Sequence, residues 1–334
     1  MAYADAPGHL AIGLDVGGTK VAGGVVNGAG EVVEKLPPRP APTLGRDAVV
    51  STVLDAITHL TRRYRVEAIG VGAAGLIDWP EGHIRWSPNN GYHDLDLRRL
   101  IESTTGVPTV VDNDANAAAW AEAHYFRDDP DKRHIAMLTV GTGLGGGLVL
   151  DGEMYRGASG VAAEVGHLLV DSSSQEVCSC GQTGCLESLA SGTALARAGR
   201  RAAAADPDGL LARLGAGRGG VTGLTIREAA CLGDPTALAL FERLGHWLGV
   251  GAAMLVTLLD VRLIIIGGGL VTAADLYLDH MRAAMQRHTF AREHRVLPPI
   301  ALARLGADAG WIGAAMLSLH QCASREVNGA GVGG

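Results

Sequence analysis

No stretch of this chain reaches the roughly 18 consecutive apolar residues of a membrane-spanning helix. The most apolar segment, MLVTLLDVRLIIIGGGL, is interrupted by Asp260 and Arg262. The opening MAYADAPGHLAIGLD has no basic region ahead of an apolar core, so it does not read as a signal peptide. Basic residues interleaved with aromatics cluster nowhere, and the net charge is −7, which argues against a nucleic-acid surface. Lysine is confined to Lys20, Lys35 and Lys132, and arginine fills the other basic positions. Beside 48 glycines, that pattern is a compositional bias rather than recognition chemistry. Together these absences predict a cytoplasmic protein with neither a membrane nor a nucleic acid as partner. Cysteine is scarce too, with five in 334 residues, and stable disulfides are rare in a reducing cytoplasm.

Hydrophobic residues make up 47% and charged ones 19%, the balance of a soluble globular enzyme of one large or two smaller domains. LAIGLDVGGTKVAGGVV reads as strand, glycine turn and strand, and IAMLTVGTGLGGGLVLDG repeats the pattern about 125 residues later, which hints at a duplicated α/β domain. Apolar spacing predicts a helix from Asp47 to Tyr64 and a long one from Pro235 to Leu259, the latter leading into a strand that ends at Gly267–Gly269. VVDNDANAAAW predicts a strand running into a helix capped by Asn113 or Asp114. Thr225 and Glu228 have capping-box spacing. The tail from 323 to 334 shows no core-forming pattern and is expected to be disordered.

A glycine turn between strands lets successive backbone N–H groups face one anion. Neither DVGGTK nor GTGLGGG ends in the G-K-[ST] of a P-loop, and GTGLGG lies between strands rather than before a helix. Each alone reads equally well as a plain hairpin. Two of them plus the terminal GGG point to a nucleotide held between two lobes. The candidate contacts are Gly17, Gly18, Thr19 and Lys20, then Gly141, Thr142, Gly143 and Gly145, then Gly267 and Gly268. Asp15, just before the first turn, is either a turn residue or an outer-sphere partner of Mg²⁺ on the phosphates.

Three of the five cysteines crowd into EVCSCGQTGC, residues 176–185, and His167 lies eleven residues before Cys178. One imidazole and three thiolates form a closed tetrahedral set of the structural zinc kind: His167, Cys178, Cys180 and Cys185. The bland alternative is a group of reduced thiols beside a core histidine. Cys231 and Cys322 stand apart and read as inert.

DVGGTK, DNDANAAA, GTGLGGG, EVGH and CSCGQTGCLE, in that order from about Ile12 to Gly313, closely resemble the ROK family of bacterial sugar kinases and repressors, in particular its glucokinase branch. The resemblance implies an α/β actin-like ATPase fold, a duplicated ribonuclease H-like unit with two lobes around a central cleft. A small lobe would span 1–114, with a helix at about 311–322 returning to it, and a large lobe 115–310 would carry the metal loop. It implies ATP-dependent phosphorylation of glucose at the 6-hydroxyl, Mg²⁺ with ATP, structural zinc on the His/Cys set, and a homodimer or homotetramer. Asp114 would be the catalytic base. The hexose would be met by Gly75, Asn89, Asn113, Asp114, Glu164, His167 and Glu187. Two departures bear on the hexose: Tyr92 stands where tryptophan is frequent, and Ala163 where glycine is usual.

Kinases of N-acetylglucosamine, N-acetylmannosamine, mannose, allose or fructose share this chemistry, and polyphosphate is an alternative donor. A sugar-responsive repressor would need a helix-turn-helix domain ahead of the first strand, and here that strand begins by residue 12. A catalytically dead sugar-binding module fits poorly with an intact Asp114 and two intact glycine turns.

Overall fold

The computed structural model describes residues 8–18, 20–40, 45–87 and 93–329, with side chains described as far as 324. The chain divides into two compact units. The first comprises the described residues up to Arg133, with Gly147–Ala163 and those from Arg304 on, and the second comprises His134–Gly146 and Glu164–Ala303.

In the first unit β1 (Leu10–Val16) turns back into β2 (Lys20–Asn27), followed by β3 (Val32–Lys35), the short β4 (Arg39–Pro40) and α1 (Arg46–Thr61). Next come β5 (Ala68–Ala73), the small antiparallel sheet β6 (Leu76–Asp78), β7 (His83–Trp86) and β8 (His93–Leu95), then α2 (Leu97–Thr105), β9 (Thr109–Asn113) and α3 (Asp114–His124). The main sheet runs β3-β2-β1-β5-β9, antiparallel at β1–β2 and parallel at β1–β5 and β5–β9. β1 and β5 are almost wholly buried because apolar layers cover both faces. On one face Val53, Ile57 and Leu60 of α1 and Ile101 of α2 pack with Ile12, Leu14 and Ile69.

The second unit opens with β10 (Ile135–Val140), whose glycine turn leads into β11 (Leu144–Leu150), and β11 carries the chain to β12 (Glu153–Tyr155) in the first unit. Five helices follow in the second unit: α4 (Leu186–Ala190), α5 (Gly192–Ala205), α6 (Leu210–Ala216), α7 (Gly223–Cys231) and α8 (Pro235–Leu259). β13 (Leu263–Gly267), α9 (Ala274–His288) and β14 (Ile300–Leu302) complete it. β10 lies parallel to β13 and β13 to β14, the arrangement that β1, β5 and β9 have in the first unit. The duplication expected from the repeated glycine turns is therefore present in strand direction as well as in sequence.

α10 (Ala309–Gly329) returns to the first unit, where Trp311, Ile312, Ala315 and Leu319 pack against Ala11, Val26, Ala68 and Ala121. It approaches the sheet at backbone contact. A Cβ on Gly13 would lie 1.9 Å from the Trp311 carbonyl oxygen, and one on Gly70 would lie 1.8 Å from that of Ala314. Any side chain at either position would push the helix off the strands.

Several sequence expectations meet their elements. α8 runs from Pro235 to Leu259 as its spacing predicts, with Asp234 accepting from the Ala237 N–H at 2.7 Å. Others shift. The cap of α7 is Thr222, paired reciprocally with Thr225, so the capping box lies ahead of the Thr225–Glu228 spacing read from sequence. Glu228 pairs with Arg218 instead. α3 and the 147–163 segment belong with the first unit, so the division lies elsewhere than the 114/115 boundary expected from sequence. Helical backbone continues to Gly329, past residue 323, where the sequence predicts the disordered tail to begin.

Candidate active site and metal centre

The parallel strands of the first unit end at one edge, where such sheets gather their functional groups. Asp15 pairs in register with Gly72, and Ala73 with Asn113, so β1, β5 and β9 deliver Asp15, Gly75 and the Asn113–Asp114 pair to neighbouring positions. Asn113 is the helix cap: its side-chain oxygen accepts from the N–H groups of Ala115 at 2.8 Å and Asn116 at 3.3 Å. Its amide donates to the Gly75 carbonyl at 3.3 Å. Gly75 has φ 128, and a Cβ there would lie 2.1 Å from the Trp86 carbonyl oxygen, so only glycine fits. In the β1–β2 turn the Gly17 N–H closes onto the Lys20 carbonyl at 3.1 Å, with Gly18 half-buried and Lys20 exposed.

Asp114, first residue of α3, accepts from the Ala115 N–H at 2.9 Å. That contact favours the carboxylate, as a helix N-terminus should. Burial outweighs it and raises the Asp114 carboxyl above its ordinary value. Burial likewise pushes Asp15 up to about 7, with the charge of Asp114 adding and Lys20 opposing. Two mutually repelling carboxyls at one strand edge form a place where added positive charge is favourable.

Behind this pair lies a contact that sequence reading did not find. Asp112 is buried and uses both oxygens: one accepts from the Asn113 N–H at 2.7 Å and from the Asn116 amide at 3.0 Å, the other from Arg156 Nε at 2.7 Å. The Arg156 guanidinium lies over the Trp79 ring, 3.7 Å from its centroid. Asp112 thus braces the turn from β9 into α3 that presents Asn113 and Asp114.

In the second unit the β10–β11 turn and the end of β13 come together. Gly268 has φ 85, and a Cβ on it would lie 2.5 Å from the Val140 oxygen, beside Gly141. The turn is tied to the start of α5: the Gly192 N–H donates to the Gly141 carbonyl at 2.8 Å, and Thr193 Oγ1 donates to that of Thr142 at 2.8 Å. The expected glycine contacts Gly141, Gly143, Gly145, Gly267 and Gly268 therefore share one neighbourhood. Thr19 and Asn89, along with Tyr92, lie outside the described residues.

The four predicted metal ligands also converge. The ligand atoms of His167, Cys178, Cys180 and Cys185 all lie within 4.8 Å of one another. Cys178 Sγ is 3.5 Å from His167 Nδ1, and Cys180 Sγ is 3.8 Å from Cys185 Sγ. That sulfur separation is far beyond the about 2.05 Å of a disulfide bond, and Cys178, Cys180 and Cys185 are all reduced thiols. Burial and the neighbouring thiols push Cys185 up to about 12, so a thiolate there needs a cation beside it. Glu164 and His167 are exposed. Glu187, half-buried in the first turn of α4, accepts from Ser179 Oγ at 2.7 Å with one oxygen and from the Leu144 N–H at 2.9 Å with the other.

The chain is similar along nearly its whole length to characterised proteins. A glucokinase of Streptomyces coelicolor is 37% identical over 314 residues, 92% of this chain and 97% of that protein. An N-acetylmannosamine kinase of Salmonella arizonae is 34% identical over 313 residues, with the same coverage of 92% and 97%. The crystal structure of a ROK family glucokinase from Streptomyces griseus, in complex with glucose and AMPPNP, matches with a TM-score of 0.81 at 38% identity, over 93% of this chain and 99% of that one. The fold is accordingly the actin-like ATPase fold. The ROK profile matches residues 11–321, and on that span, with these whole-length similarities, the chain belongs to the ROK family.

Proposed function

We infer that the chain is an ATP-dependent sugar kinase that transfers the γ-phosphoryl group to the 6-hydroxyl of glucose. The observation that carries this reading is its whole-length similarity to the Streptomyces griseus glucokinase described in complex with glucose and AMPPNP. In the reaction the 6-hydroxyl oxygen forms a bond to the γ-phosphorus and the bond to the β-bridging oxygen breaks, releasing ADP. Asp114 takes the hydroxyl proton. Its raised pKa supports the role, because a more basic carboxylate is a better proton acceptor near neutral pH. Asn113 and the Gly75 backbone are assigned to orienting the sugar, and Glu164, His167, Glu187 and Asn89 are assigned to it by the family resemblance.

Mg²⁺ arrives as part of the nucleotide substrate, and Asp15 is the group we assign to its hydration shell. The β1–β2 and β10–β11 turns, with Gly267 and Gly268, are assigned to the phosphates. A coupled ADP-release assay across a hexose panel tests the reading: glucose should give the highest kcat/KM, and a chain that turns over no hexose would overturn it. N-acetylmannosamine belongs in the panel because of the 34% identity to its kinase.

Zinc is the metal proposed for the His/Cys set. With Zn–S bonds of about 2.3 Å and a Zn–N bond of about 2.0 Å, tetrahedral coordination puts sulfurs about 3.8 Å apart and sulfur and nitrogen about 3.5 Å apart. The Cys180–Cys185 and Cys178–His167 separations are 3.8 Å and 3.5 Å, and all four ligand atoms lie within 4.8 Å of one another. Four protein ligands leave no open position for a reactive water, so the role is structural. Elemental analysis of purified protein should find one zinc per chain, and Cys180→Ser should lose it and lower the melting temperature. A reducing cytoplasm keeps three thiols available to a metal, which supports that location. We propose a homodimer or homotetramer, to be read by sedimentation velocity.

A further inference from the structure

Glu187 joins two parts of the second unit that have no neighbouring residues in sequence. One carboxylate oxygen accepts from Ser179 Oγ at 2.7 Å, with Cys178 Sγ 3.6 Å away, inside the metal loop. The other accepts from the backbone N–H of Leu144 at 2.9 Å, at the end of the β10–β11 turn. The turn is shaped to receive this carboxylate: a Cβ on Gly143 would lie 2.5 Å from Glu187 Oε2. Leu144 is held from its other side as well, since a Cβ on Gly166 would lie 2.0 Å from the Leu144 oxygen. The helix that carries Glu187 begins directly at the metal loop, with Cys185 as its cap residue. It ends at Ser191, whose successor Gly192 donates to the Gly141 carbonyl at 2.8 Å.

We propose that Glu187 is a positioning residue for the nucleotide, transmitting the order of the metal loop to the β10–β11 turn through its hydrogen bond to Leu144. The proposal rests on the kinase reading above, and goes beyond a sugar contact at Glu187. With the carboxylate in place, the Leu144 N–H is turned inward and the glycine N–H groups ahead of it are held in one arrangement. Without it, the N–H of buried Leu144 loses its partner and the turn samples other arrangements, which weakens anion binding before any sugar enters. A residue that only met a sugar hydroxyl would leave nucleotide affinity in the absence of sugar untouched.

The test uses the full-length, metal-loaded protein and titrates MgAMPPNP by calorimetry with no hexose present, alongside elemental analysis of each preparation. Glu187→Ala should retain its zinc and bind MgAMPPNP about tenfold more weakly, the size expected for losing one hydrogen bond to a charged group. Glu187→Gln should recover most of the affinity, because its amide oxygen accepts from Leu144 and its NH₂ donates to Ser179. Ser179→Ala, which leaves all four metal ligands and Glu187 itself intact, should weaken binding by a smaller factor, and it keeps the proposal testable should Glu187→Ala fold poorly. Glu187→Ala and Ser179→Ala that both hold zinc and bind MgAMPPNP within twofold of wild type would overturn the proposal. Wild-type protein that binds zinc but no nucleotide would overturn the kinase reading itself, and the proposal with it.

Discussion

Arg156 Nε lies 2.7 Å from Asp112 Oδ2, and both side chains are buried. Arg156 Nη2 has no hydrogen-bond partner among the described residues, so Asp112 supplies the opposite charge, with the Met154 carbonyl accepting from Nη1 at 3.3 Å and the Trp79 ring beside the guanidinium. Removing one partner of a buried pair leaves the other charge uncompensated, at about 3–5 kcal/mol. Asp112→Ala and Arg156→Ala should each lower unfolding free energy by that order in denaturant titrations. Asp112→Asn should still cap the Asn113 N–H but fail to balance Arg156, so kcat should fall further than KM rises. A fully stable, fully active Asp112→Ala protein would rule out the bracing role.

Asp114→Asn keeps the shape of the side chain and removes the proton acceptor. It should leave glucose affinity near wild type and reduce kcat by about 10²–10⁴. Equilibrium glucose titration and steady-state kinetics on the same preparation separate the two effects. Near-wild-type kcat would show that another group takes the proton.

The Asp15 carboxyl is pushed from 3.8 to about 7 in the folded protein, so between those values the native state binds this proton more tightly than the unfolded chain. The sign follows: the contribution to stability is present below about pH 4 and is lost as pH rises through about 7. Melting temperature without nucleotide should therefore decline across that window, and Asp15→Asn should flatten the decline. Binding of MgAMPPNP near pH 7 should release protons in the wild type and fewer in Asp15→Asn, as read by calorimetry in buffers of different ionisation enthalpy. An unchanged melting profile in the variant would remove Asp15 as its source.

Ala163 has φ 68, a left-handed conformation that costs an alanine about 1–2 kcal/mol relative to glycine. It is also the position where the family resemblance leads glycine to be expected. Ala163→Gly should raise the melting temperature, with a gain of about 1 kcal/mol once the greater freedom of glycine in the unfolded chain is set against it. A lower melting temperature would mean that the methyl group packs more favourably than its backbone angle suggests.

Much of the fold and the chemistry was legible in sequence, and the physical reasons differ by element. α8 was readable end to end because its apolar spacing is long and Asp234–Pro235 marks its start. The glycine turns and the cysteine loop were readable because each is a local pattern whose chemistry needs those residues close together. The small sheet β6–β7–β8 was not, because strands of three or four residues hold too few side chains to show a period. Asp112 and Arg156 are 44 positions apart, and Leu144 and Glu187 are 43 apart, so neither contact leaves a local signature. Asp112 carried one overlooked hint: a charged residue directly after Val110 and Val111 in a strand needs a partner if that strand is buried.

The return of α10 to the first unit also has a meaning for synthesis on the ribosome. Ala11, Ala22, Val26 and Ala68 wait for Trp311, Ile312, Ala315 and Met316 to cover them, although the strands that bear them are translated well ahead of α10. Until α10 is made, that face of the sheet lacks the helix that meets Gly13 and Gly70 at backbone contact. The second unit, whose main segment Glu164–Ala303 is continuous, does not depend on α10. Vectorial synthesis therefore completes the second unit before α10 is available, leaving the first as the part of a nascent or truncated chain that exposes apolar surface.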